Sequence, residues 1–108
     1  MPNQIGNKNE YNFREAKNTM VITTKKIIKG ENRILLVSHD EDDGMWEFLD
    51  GTEIREEDAA IVSLHEIVTL DSSVNDISYL PLGSIAYRNN STDSWIIEKK
   101  GEPEKCRG

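Results

Sequence analysis

His39-Asp40-Glu41-Asp42-Asp43 is the densest run of potential ligands and proton carriers in this sequence. Carboxylate oxygens suit Ca²⁺ or Mg²⁺, and a neighbouring imidazole suits a transition metal. The spacing does not make an EF-hand loop. With Gly44 set on the obligatory loop glycine, His39 falls where the first carboxylate must be. Alternation along an extended segment also divides the acids between two faces. Ser38-His39-Asp40 has the residue types of a nucleophile triad without its arrangement, because such triads converge from separate segments. His65, beside Glu66, is a second imidazole that could pair with His39 as acid and base, but no sequence feature brings the two together. The Gly-x-Ser-x-Gly, Walker A, Gly-x-Gly-x-x-Gly and Cys-x-x-Cys patterns do not occur. No catalytic residue is assigned, no cofactor is expected, and the balance is against an enzyme.

Charge is the stronger signal. The chain of 108 residues carries a net charge of −7, very unevenly spread. Residues 40–76 hold thirteen acids and one base, Arg55, whereas residues 1–39 hold seven bases and three acids. An acidic middle disfavours nucleic acid and anionic membranes, since phosphate contacts need clustered Lys and Arg. It favours a basic protein partner, a divalent cation, or simple solubility. The expected partner-binding residues are Asp40, Glu41, Asp42 and Asp43 at a hairpin tip, and Glu53, Glu56 and Glu57 in a charged connection. Trp95 joins them as a half-exposed aromatic anchor after a polar loop.

The elements that position these residues read as follows. Thr19–Thr24 is a short β-branched strand. Residues 25–32 make one helical turn or a turn ending at Gly30. Ile34–His39 is apolar on both faces, as in an interior strand. Asp43-Gly44 is a two-residue hairpin signal of type I′, and Met45–Leu49 returns with Trp46 and Phe48 on one face. Ala60–Val62 is a strand or the start of a helix. Ser63-x-x-Glu66 is a capping box that starts a helix burying Leu64, Ile67 and Val68. Asp71 caps a second short helix with Val74, Ile77 and Tyr79 or Leu80 inward, and Pro81-Leu82-Gly83 ends it. Ile85–Arg88 and Trp95–Glu98 are the last strands. The expected fold is α+β: a mainly antiparallel sheet of four to six short strands, with two consecutive short helices packed on one face.

Residues 1–18 are polar, with Ile5, Tyr11 and Phe13 as scattered apolar positions, and are expected to be poorly ordered. Residues 19–100 form a single domain and residues 101–108 a flexible tail. The one cysteine, Cys106, cannot make an internal disulfide. No apolar run approaches the roughly 20 residues that span a bilayer, and no signal-peptide layout is visible, so a cytoplasmic location and no membrane partner are expected.

The ordered motifs VSHDEDDGMWEFLDG, DAAIVSLHEIVTLDSSV and LPLGSIAYR, followed by a terminal Trp, resemble small uncharacterised bacterial proteins of about 100 residues. That group carries a Ser-His-Asp hairpin, a Trp-x-Phe strand and a Leu-Pro-x-Gly before the last strands. A looser analogy runs to immunity proteins of bacterial toxin systems. The charge distribution favours a non-catalytic protein-binding domain that holds a basic partner, of which an immunity-type inhibitor is one concrete version. The alternative is a divalent-metal-binding protein or enzyme using residues 39–43.

Overall fold

The computed structural model describes residues 10–99; the expected tail at 101–108, with Cys106, lies outside them. Six strands build one sheet: β1 (Met20–Thr24), β2 (Leu36–His39), β3 (Trp46–Leu49), β4 (Ala59–Ser63), β5 (Ser84–Tyr87) and β6 (Ile96–Lys99). Their order is β4-β1-β3-β2-β5-β6. Every pairing is antiparallel except that of β1 with β3. The fold is therefore α+β and mainly antiparallel, as expected. Residues 60–62, ambiguous from their pattern, belong to a strand. Its partner decides this, since β4 pairs with β1 along its whole length.

Alternation assigns the two faces of the sheet. Val37 pairs with Phe48 and with Ala86, and His39 pairs with Trp46, so these five residues share one face. Val21, Val37, Trp46, Phe48 and Ala86 are all buried there. Helix α1 (Lys25–Ile28) is a single turn that inserts Ile27 into the same core. Helix α2 (Leu64–Leu70) and the 3₁₀ helix Ser72–Ile77 cover this face with Leu64, Ile67, Val68, Val74 and Ile77. Both start where the sequence places caps. Ser63 Oγ accepts from the Glu66 N–H at 3.1 Å, and Asp71 Oδ1 accepts from the Ser73 N–H at 3.0 Å. Leu80 is buried while its neighbour Tyr79 is exposed.

Two expectations are corrected. The first concerns the N-terminal segment, of which residues 10–18 are described. Phe13 is only 6% exposed and sits in the core, with Tyr11 packed against it. A clasp holds the segment in place: the Asn12 N–H donates to Asn75 Oδ1 at 2.8 Å, and Asn75 Nδ2 donates to the Glu10 carbonyl at 3.2 Å. The folded unit thus begins by residue 10, not residue 19, because a buried amide and one phenyl ring suffice to anchor a polar strap.

The second is the hairpin turn. A two-residue type I′ turn needs positive φ at both central residues. Gly44 has φ +74°, but no non-glycine among the described residues has positive φ, so Asp43 does not. The loop is longer. The Asp40 N–H donates to the Met45 carbonyl at 2.8 Å, and the Gly44 N–H donates to the Asp40 carbonyl at 2.9 Å. Asp40 Oδ1 accepts from the Asp42 N–H at 2.7 Å and Asp43 Oδ1 from the Met45 N–H at 2.9 Å. The two aspartates shape the loop with their side chains, as Asx residues do.

At the other end of β3, Asp50 does the same work for the next turn, accepting from the Thr52 N–H and hydroxyl and from Asn32 Nδ2. Burial alone raises its pKa, but these donors outweigh it and hold the carboxyl below the ordinary carboxylate value. A depressed folded-state pKa contributes stability above the unfolded value, and this is lost as pH falls through the folded value. The stability gap between the native chain and Asp50→Asn should therefore shrink on acidification, as read by urea midpoints over a pH series. A gap independent of pH would refute that assignment.

Candidate functional site

A groove of about 490 Å³ opens at the hairpin end of the helix-covered face. Three segments converge on it. The strap contributes Asn12, Arg14 and Glu15, the β2–β3 pair contributes His39 and Trp46, and the stretch after the 3₁₀ helix contributes Ser78 to Leu82.

The imidazole of His39 is held from three sides. Its Nδ1 lies 2.7 Å from the Leu80 carbonyl oxygen. A carbonyl can only accept, so Nδ1 carries the proton and Nε2 is the acceptor of the neutral ring. The ring stacks on Trp46 at 4.0 Å between centroids, tilted by 16°. Nε2 faces Glu15 Oε2 at 4.0 Å, too far for a direct hydrogen bond. Trp46 is fixed in turn. Phe13 meets it edge-on at 5.0 Å, and its indole Nε1–H donates to Glu15 Oε2 at 3.0 Å.

Glu15 is the residue most in need of explanation. Its Oε2 serves Trp46, whereas Oε1 is buried with no hydrogen-bond partner among the described residues. Leaving such an oxygen unsatisfied costs about 1–3 kcal/mol. The strap that carries it is braced by the Tyr11 hydroxyl, which donates to the Glu15 carbonyl at 2.7 Å. Burial, and then the charge of Glu15, push the Tyr11 phenol above its ordinary pKa, so it stays a donor.

Comparison of the chain with protein-family models, with curated proteins and with solved structures returns no match. The site is therefore read from its own geometry.

The residues singled out by charge do not form one face. Asp40, Glu41, Asp42 and Asp43 precede β3, beside the groove. Glu53, Glu56 and Glu57 follow it. The four residues of β3 alone put roughly 13 Å between the two groups. Glu57 already meets Arg55 at 3.3 Å, and Lys26 and Arg55 stand among the acids of that end. Trp95 belongs to this far end too, and its ring is occupied. The Arg88 guanidinium lies 3.9 Å from the ring centroid, and the indole N–H donates to the Ser73 carbonyl at 3.3 Å. A single acidic face with Trp95 as anchor is thus corrected to two separated clusters, with Trp95 committed to the fold.

The metal reading of residues 39–43 loses its imidazole, because His39 turns into the groove and the acids turn outward. Among the described residues, no group of three His, Cys, Asp or Glu side chains is placed to hold an ion. His65 is exposed and lies near Tyr11, at 6.4 Å between ring centroids. His39 has no hydrogen bond to a serine, threonine or cysteine among the described residues.

Arg14, Glu15, Tyr79 and Leu82 were missed in the sequence. The one local signal for the strap was the alternation Tyr11-x-Phe13-x-Glu15, too short to stand out within a polar segment.

Proposed function

We propose that this chain is a non-catalytic protein-binding domain whose hairpin end receives a basic partner. One observation carries the reading. A preformed groove is lined by the Glu15 carboxylate, which is 24% exposed, and it opens beside the loop acids Asp40 to Asp43. The groove rim supplies the apolar part of such an interface, since Tyr79 is 67% and Leu82 is 52% exposed. The loop acids supply long-range attraction that raises the association rate. An immunity-type inhibitor that masks the cationic site of a toxin is one concrete form, in a cytoplasmic setting. No helix among the described residues is long and apolar enough to cross a membrane.

Glu41 and Asp42 are the residues to alter, because both are exposed and neither side chain makes a hydrogen bond among the described residues. Asp40 and Asp43 shape the loop and should be left. The native chain, immobilised and exposed to lysate of its source cells, should retain a basic protein that elutes with rising salt. Glu41→Lys with Asp42→Lys should slow association with that protein by on the order of tenfold or more at low salt, with unchanged thermal stability. Equal rates and equal salt dependence for the two forms would refute the electrostatic mechanism.

A further inference from the structure

We infer that the groove seats a single primary ammonium, the tip of a lysine side chain, between Glu15 Oε2 and His39 Nε2. This deepens the reading of the chain as a receptor for a basic partner and rests on it.

The first argument is the pair of acceptors. With Nδ1–H committed to the Leu80 carbonyl at 2.7 Å, the imidazole in its neutral form presents a lone pair at Nε2. It faces a carboxylate oxygen 4.0 Å away. Two acceptors at that separation repel mildly and cannot bond each other. One nitrogen placed about 2.8 Å from both can donate a separate hydrogen to each. Both side chains line the groove and keep part of their surface exposed, 12% for His39 and 24% for Glu15.

The second argument distinguishes an ammonium from a guanidinium. Arginine binds carboxylates best as a planar fork on both oxygens. Glu15 denies that geometry, because Oε1 is buried away from solvent and only Oε2 is shared with the indole of Trp46. A compact point charge with three rotatable donors fits a site of two single-atom acceptors. Arg14, although it lines the groove, makes no ion pair among the described residues and leaves Glu15 to an external cation.

The third argument is rigidity. The Leu80 carbonyl and Trp46 hold His39, Trp46 holds Glu15, and Phe13 holds Trp46. The acceptors are therefore set before the ligand arrives, and little ordering cost falls on binding. Tyr79 and Leu82 at the rim can cover the methylene stem of a lysine, which packs on apolar surface while its head stays polar.

Two-dimensional ¹H–¹⁵N spectra test this through the indole N–H of Trp46, a direct partner of Glu15. The probes are Nα-acetyl-lysine amide, its Nε-acetylated form and Nα-acetyl-arginine amide, with Glu15→Gln and His39→Phe as variants. Phenylalanine can keep the stack on Trp46 while removing Nε2. The lysine probe should shift the Trp46 signal saturably and bind at least about tenfold more tightly than the Nε-acetylated probe. The arginine probe should be weaker than lysine. Glu15→Gln should abolish the shift and His39→Phe should weaken it several-fold, both with native-like spectra. Arginine binding as well as lysine, or Glu15→Gln binding as well as the native chain, would overturn the inference. The broader reading fails separately: it falls if Glu41→Lys with Asp42→Lys leaves partner association unchanged, whatever the probes do.

Discussion

Replacing Arg88 by methionine is expected to lower the unfolding free energy by about 3 kcal/mol or more. The side chain of Arg88 is 1% exposed, yet it is satisfied on every side. Nε and Nη2 donate to the Ile34 carbonyl at 3.1 and 2.9 Å, and Nη1 donates to Ser73 Oγ at 3.0 Å and to the Ser91 carbonyl at 3.1 Å. Nη2 also pairs with Asp71 Oδ2 at 2.9 Å, and Trp95 stacks on the guanidinium. One side chain thereby ties the entry to β2, the cap of the 3₁₀ helix and the loop before β6.

Methionine fills the volume but leaves the buried Ile34 carbonyl without a donor, and a buried unsatisfied acceptor costs more than the bond contributed. Asp71 is partly open to water, at 24%, so its freed charge is rehydrated, which keeps the expected loss near the lower end of the range for broken buried pairs. Lysine should recover little, because an ammonium cannot reach acceptors spread around a planar fork. Urea unfolding monitored by tryptophan fluorescence checks this, with an unchanged denaturant slope as the sign that only stability moved. A loss under about 1 kcal/mol would put Arg88 in the class of surface ion pairs and refute its role as a tie.

Phe13→Ala should cost a similar amount, about 3–4 kcal/mol, although it lies in a segment with the composition of a disordered tail. The ring is buried against Trp46 at 5.0 Å and Phe48 at 6.3 Å. Removing it opens a cavity at the hairpin end that the strap can close only by moving. Because the same strap carries Glu15, this variant should lose lysine-probe binding together with stability. Phe13→Leu, which keeps most of the volume, should lose under about 1.5 kcal/mol and retain binding. If residues 10–16 were not packed, Phe13→Ala would fall within about 0.5 kcal/mol of the native chain. Phe13 and Arg88 stand at opposite ends of the sheet, so their effects on stability should add.

The two variants also show which parts of the molecule were readable in advance. Trp46-x-Phe48 reads as a core face because alternation is a local code, and both residues are indeed buried. Ser63 and Asp71 read as caps because each side chain acts on a backbone N–H two or three residues away. Phe13 did not read as core, since a lone aromatic in a polar stretch has no neighbour within its own segment to define a face. Arg88 did not read as buried, because its acceptors come from residues 34, 71, 73 and 91.

The acidic clusters show the same limit. Residues 40–43 and 53–58 are close in sequence, and their summed charge invites one electrostatic surface. A four-residue strand between them sends each to its own end of the sheet. The first cluster borders the groove, while the second lies among Lys26 and Arg55.

What the sequence by itself determined were most of the local elements: four to six short strands, the caps of two consecutive helices, and an α+β architecture. These follow from alternation and from side chains that bond the backbone nearby. Only the tertiary structure decided that β3 lies parallel to β1, that the strap crosses the core face, and that Glu15 faces His39 across 4.0 Å. Such placements depend on pairing register and on amide bonds between distant residues, as Asn12 with Asn75. Those contacts join residues far apart in sequence, so no local pattern reveals them.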